Sequence, residues 1–171
     1  MAFPSLYKNI AVSPPSSDFF IDTLEFHHSS FAAPERLVNQ PKDYVLTLES
    51  TALINPNQAV IFTACPFDLR KPQKGDQGRQ AVDILIPNVD RRLTSQMDRA
   101  RGNGGAITCF WRTYAKSQIT SPIINPPPKF QIKSGNITVF EIRLTATFFE
   151  FFNDKFPGFL YSNAFAPGLQ R

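Results

Sequence analysis

The side chains best suited to chemistry are few and far apart. His27 and His28 are the only histidines. They are adjacent on a presumed strand, so their rings point to opposite faces and cannot readily hold one metal together. No cysteine or carboxylate cluster stands at ligand spacing with either. A catalytic base needs a nucleophile and an orienting partner, and neither is visible. Asp83, Asp90 and Asp98 are spread along a strand and a helix and read as solvated charges. Asp98 has Arg92 and Arg101 near it on the helix, a surface pairing worth a few tenths of a kcal/mol. The glycines of RGNGGA follow a helix instead of opening one, so they are a helix stop and not a phosphate cradle. Cys65 and Cys109 each sit in or beside an apolar strand, where cysteine acts as a small buried hydrophobe, and a disulfide is the less expected reading. The pattern predicts no catalytic residue, cofactor or metal. An enzyme acting on cell-wall or tail peptides would have to rely on His27 and His28.

The elements that would position these residues centre on residues 79 to 114. Val82, Ile84 and Ile86 alternate with Asp83 and Leu85, the period of a strand. Pro87 and Asn88 end it, and Asn88 or Asp90 can cap a helix at about residues 89–101. Val89, Leu93, Met97 and Ala100 share one face of that helix, while Arg91, Arg92, Arg99 and Arg101 lie off it. Gly102, Gly104 and Gly105 are expected to stop it, and a strand follows from Ala106 to Tyr114. Elsewhere the chain reads as strands at residues 21–26, 36–39, 44–49 and 60–64, with a turn at Asn55, Pro56 and Asn57. Ser134, Gly135 and Asn136 predict another turn. After it Phe140, Ile142, Leu144, Ala146 and Phe148 line one face of a long strand. Pro126, Pro127 and Pro128 predict a stiff extended connector, preferred to a proline-rich recognition ligand.

Composition agrees. The chain has 171 residues, 42% of them hydrophobic, enough for one folded domain. Fifteen prolines argue against a helical protein. The predicted fold is mainly β: an antiparallel sandwich or barrel with one short inserted helix and extended terminal arms. Residues 1–17 read as an arm, 18–155 as a single β-rich domain, and 156–171 as an aromatic tail. That tail must pack on its own domain or on a neighbour, because exposed it would aggregate. The N-terminus lacks a signal-peptide pattern, and no apolar run is long enough to cross a bilayer, so the expectation is a protein made in the cytoplasm with no membrane partner.

A net charge of +4 with abundant phenylalanine raises nucleic acid as a partner, since small β-barrels bind single strands by stacking bases on exposed rings. Most of the phenylalanines alternate in register with other apolar residues, which is a core pattern. A small β-barrel nucleic-acid-binding module is therefore the alternative reading.

Several patterns together resemble one family. FIDTLEFHHSSFAAPERLVN (residues 20–39) carries a strand with Leu24 and Phe26, followed by a Pro-x-Arg-Leu-Val-Asn strand. VDILIPNVDRRLTSQMDRAR (82–101) carries a strand, an Asn-Val-Asp-Arg turn and a short helix. The tail pairs Phe156-Pro157-Gly158 with Asn163-Ala164-Phe165. In this order they resemble a tail protein family of long-tailed bacteriophages, grouped only as a domain of unknown function and encoded among minor tail and tail-tip genes near the tape-measure protein. The tail departs from the family's pattern in the order of its two runs and in a second Pro-Gly at Pro167-Gly168.

The resemblance implies a distal-tail-like structural protein of the tail tip, repeated as a homo-oligomeric ring and joining the tail tube to the hub or receptor-binding apparatus. Its implied partners are copies of itself and the tail tube, tape-measure and hub proteins, with nucleic acid only passing through the channel. Its implied place is the virion, assembled in the host cytoplasm. A ring needs arms or sheet edges to join neighbours. The expected subunit-interface residues are Phe3, Pro14 and Pro15 in the arm, Arg70, Lys71 and Lys74 in the 66–80 loop, and Arg91 and Arg92 on the helix. Phe156, Phe159, Tyr161 and Phe165 complete the set in the tail.

Overall fold

The computed structural model describes residues 18–70, 81–87 and 92–148. The expected arm (1–17) and tail (156–171) lie outside the described residues. Nine strands follow in chain order: β1 (Phe20–His27), β2 (Glu35–Val38), β3 (Tyr44–Thr47), β4 (Ala59–Ala64), β5 (Asp68–Arg70), β6 (Ala81–Pro87), β7 (Thr108–Ala115), β8 (Lys129–Ile137) and β9 (Glu141–Phe148). Among the described residues one helix, α1 (Arg92–Asn103), lies between β6 and β7 in the chain. The sheet order is β3-β4-β2-β1-β7-β8-β9-β6-β5.

The mainly β fold with one inserted helix is what the sequence pattern predicts. Two details differ. The sheet is open, with β3 and β5 as its edges, so it is sandwich-like and not a closed barrel. It is also mixed, because β2 and β4 run parallel, pairing Leu37 with Thr63 and Val38 with Ala64. The cause is connectivity. β3 and β4 form an antiparallel hairpin, and β4, not β3, returns to lie beside β2.

Two cores flank β1. Leu24 and Phe26 point into the larger one with Ile84 and Ile86 of β6, Ile142 and Leu144 of β9, and Cys109 of β7. Leu93 and Met97 of α1 cover this core, and Ala100 is buried on the same helical face. Each fully buried aliphatic side chain contributes about 1.5–3 kcal/mol. Ile21, on the other face of β1, joins Val38, Leu46, Leu48, Phe62 and Tyr114 in the second core, under the β3–β4 hairpin. β1 therefore has no wet face, unlike the half-exposed strands at the sheet's edges.

The helix stripe is buried as predicted, although the helix begins at Arg92 and residues 88–91 lie outside the described residues. Gly102 sits inside its last turn. Gly104 and Gly105, at φ 67° and 99°, supply the left-handed exit. Residues 134–136 form no turn: they belong to β8, facing Thr145, Leu144 and Arg143 of β9 across a bulge between Ile132 and Ser134. Gly135 is there for clearance, since a Cβ would stand 2.9 Å from Leu144 Cδ2. The real turn comes at Val139–Phe140, and Phe140, expected in the buried row, is 85% exposed. β5 also occupies part of the segment read as a loop. Pro128 acts as a connector residue, its carbonyl accepting from Trp111 N–H at 3.1 Å.

Candidate functional site

The densest polar arrangement in the described residues is buried between β1, β2, β7 and the loop joining β3 to β4. Strand alternation places Glu25 on the face of β1 opposite Leu24 and Phe26, and Arg112 of β7 turns the same way. Arg112 is 1% exposed and forks onto Glu49: Nε donates to Oε2 at 2.7 Å and Nη2 to Oε1 at 2.9 Å. Its Nη1 donates to Glu25 Oε2 at 2.5 Å. Arg36, opposite Glu25 on β2, donates from Nε to Glu25 Oε1 at 2.9 Å. It also donates from Nη2 to Asn55 Oδ1 at 3.1 Å. Asn55 holds a left-handed φ of 59°, which asparagine tolerates better than most residues, and donates on to Gln58 Oε1 at 2.8 Å. Tyr114 O–H donates to Thr47 O at 3.0 Å beside this network.

Two carboxylates and two guanidiniums balance in charge. Burial alone would raise the Glu25 pKa, but His27, Arg112 and Arg36 outweigh it and hold the carboxyl below its usual value. Burial works against the charge on Arg112, and the hydrogen bonds it donates to Glu49 with the charge of Glu25 overcome it, so its pKa is raised. Burial pushes up Tyr114 and Cys109. The cluster is internally saturated, each carboxylate bonded by a guanidinium. A carboxylate held by guanidinium forks is poorly placed to take a proton from a substrate.

His27 is the exception. It is buried, its Nε2 lies 3.3 Å from Glu25 Oε1, and its ring meets Phe110 edge-on at 5.3 Å. That nitrogen contact is off line for a hydrogen bond, and neither ring nitrogen has a hydrogen-bond partner. His28 points elsewhere. Its Nδ1 accepts from Ser30 N–H at 3.1 Å, which leaves Nε2–H to donate to Gly104 O at 2.9 Å. This ties the exit of α1 to the end of β1. The two histidines thus divide as the strand period predicts. On the opposite face of β1, Asp22 Oδ1 accepts from Trp111 Nε1 at 3.1 Å and Thr113 Oγ1 at 2.6 Å.

Of the expected interface residues, Arg70 is described. It ends β5 and is exposed, with Nε donating to Asp68 Oδ2 at 2.8 Å, a bond that raises its pKa. Arg92 opens α1, its side chain outside the described residues. Phe3, Pro14, Pro15, Lys71, Lys74, Arg91, Phe156, Phe159, Tyr161 and Phe165 also lie outside them. Cys65 and Cys109 are free thiols packed in or against the larger core. Among the described residues, no group of three or more His, Cys, Asp or Glu side chains could hold a metal, and no helix is long and apolar enough to cross a membrane.

The model of DUF1833, a domain of unknown function, matches residues 5–161. The chain belongs to the DUF1833 family. No curated protein matches it. In this DUF1833 chain the buried cluster was not foreseen from sequence, because Glu25, Glu49 and Arg112 look like ordinary wet positions of alternating strands. One signal was available: Glu25 sits between Leu24 and Phe26 in a strand flanked by apolar neighbours on both sides.

Proposed function

We propose that the chain is a structural component of a siphophage tail tip, a distal-tail-like ring protein that joins the tail tube to the hub or receptor-binding apparatus. The observation that carries this reading is how the buried charges are used. Arg112 bonds Glu49 and Glu25 at once, so these buried polar interactions weld the β3–β4 loop onto β1 and β7 and leave neither Glu25 nor Glu49 free toward a ligand. A weld of this kind suits a part that must keep its shape under load. The ordered motifs at residues 20–39, 82–101 and 156–165 favour the phage tail assignment. On this reading the partners are further copies of the chain and the tail tube, tape-measure and hub proteins, and the chain resides in the virion.

The test is gold labelling of tailed particles from the source, with antibody raised against this chain, viewed by electron microscopy. Gold at one end of the tail is the expected result. Bare particles beside well-labelled free protein would remove the virion role. Binding to single-stranded nucleic acid that weakens steeply with salt would then favour the alternative module.

A further inference from the structure

The end of α1 carries the run Arg101-Gly102-Asn103-Gly104-Gly105. Ala100 is the last residue of the helix that packs on the core, and Arg101, Gly102 and Asn103 are all exposed. Gly104 and Gly105 are accounted for by their positive φ. Gly102 is not: it lies inside the helix, and a Cβ there would meet nothing within 4 Å. Glycine weakens a helix, and here neither clearance nor a turn demands it. Its effect is a loosely held last turn, with no buried side chain to resist opening.

Asn103 stands between these glycines. It is the only asparagine in the chain followed by glycine. Asn55 and Asn125 precede proline, whose nitrogen carries no hydrogen to lose. The remaining asparagines precede residues with a side chain, which crowds the approach of the next backbone nitrogen to the carboxamide. Gly104 has no side chain, and the space where a Cβ would stand is open. While the turn is intact, the Gly104 amide is directed back along the helix. Once the turn opens, glycine's freedom lets that nitrogen face the Asn103 side chain.

We propose that Asn103 is a site of spontaneous covalent modification that loosens the exit of α1. The Gly104 nitrogen attacks Asn103 Cγ, an N–Cγ bond forms, the Cγ–Nδ2 bond breaks, and ammonia leaves with the Gly104 amide proton. Water then opens the succinimide ring. Addition at Cγ restores the ordinary backbone and leaves aspartate. Addition at the main-chain carbonyl leaves isoaspartate, whose chain runs through Cβ and Cγ and is one atom longer. Both products put a carboxylate at the helix C-terminus, where the macrodipole disfavours it, and lower the formal net charge of +4 by one. The isoaspartate also shifts Gly104, whose carbonyl accepts from His28 Nε2–H at 2.9 Å. Gly105 packs against the same ring, a Cβ there standing 3.1 Å from Nε2, so little space is left to absorb the longer chain. The bond that ties α1 to the end of β1 is the one this modification removes.

The test incubates the full chain in mildly alkaline buffer made with oxygen-18-labelled water and follows each asparagine by peptide mass spectrometry. Asn103 should be the first to convert, gaining one labelled oxygen and appearing as both aspartate and isoaspartate. Amide hydrogen exchange at Gly104 and Gly105 should quicken in the converted chain. Two variants, shown to be folded by circular dichroism, sharpen the result. Gly102→Ala, which fills open space in the last turn, should slow conversion about fivefold, the equivalent of about 1 kcal/mol of helix propensity. Asn103→Gln should abolish it, because glutamine would have to close a larger ring. Conversion at Asn103 in urea-unfolded chain but not in folded chain would overturn the proposal, since the fold would then protect the site. A Gly102→Ala chain that converts as fast as wild type would overturn the opening of the last turn as the route. Unchanged exchange at Gly104 after conversion would show that the bond to His28 survives and would overturn the loosening.

Discussion

The two faces of β1 are held by different physics. On one, Leu24 and Phe26 join an apolar core closed by α1, β6, β8 and β9. On the other, Ile21 joins a smaller core sealed by the Glu25–Arg112–Glu49–Arg36 network. Apolar packing is non-directional and forgives a volume-conserving exchange. The ionic face is directional: it can be strong with every partner present and costly with one removed. The chain's shape should therefore be most sensitive on the face with the smaller apolar core.

Substitutions on either face sharpen this contrast. The largest effect is expected from Arg112→Met, which strands two buried carboxylates and should cost about 3–5 kcal/mol in urea denaturation. Replacing three of the four members together, Arg112→Met with Glu25→Leu and Glu49→Leu, should recover most of that loss, because Arg36 keeps its bond to Asn55; a triple variant as unstable as the single one would show that removing the buried charges does not relieve the penalty. On the apolar face, Leu144→Ala should cost about 2–5 kcal/mol, and Leu144→Met under about 1.5 kcal/mol. An equal penalty for both would deny the forgiving character of that core.

Acid separates the faces more gently. Glu25 has its folded pKa held below the usual 4.5, so its share of stability is fully present above pH 4.5 and is lost as pH falls through the lower folded value. Thermal melts between pH 6 and 3 should show this decline in wild type and a flatter limb in the triple variant. The smallest effect is expected at the seam between α1 and β7. Gly104→Ala meets no neighbour within 4 Å, so only its φ of 67° opposes the change, and the melt should report about 1 kcal/mol.

The apolar face was largely legible in the sequence. Val82, Ile84 and Ile86 alternate, and Leu93, Met97 and Ala100 recur at helical spacing, both direct imprints of local geometry. The ionic face was not. Glu25 and Arg112 are 87 residues apart, and Glu49 and Arg112 are 63 apart. A period-two pattern marks which residues share a face but not whether that face is later covered. The β8–β9 hairpin was misread for a related reason. Ser134, Gly135 and Asn136 have turn composition, but a bulge and the close approach of Leu144 set their types instead. The exposed Arg70 was legible as a loop charge, whereas Phe140, expected in the buried row of its strand, proved to be surface.

The antiparallel pairing of β1 with β7, from Phe20 with Ala115 to His27 with Thr108, also dictates a timetable. During synthesis, residues 20–107 leave the ribosome with their principal hydrogen-bonding strand not yet made, and Glu25 and Glu49 wait without Arg112. Such long-range closure makes folding slow and late, because loop entropy is lost before any contact rewards it. A nascent chain stalled before Thr108 should be readily cut by protease, and one released past Phe148 should resist. In a cell, that interval is when the chain would most need protection by a chaperone.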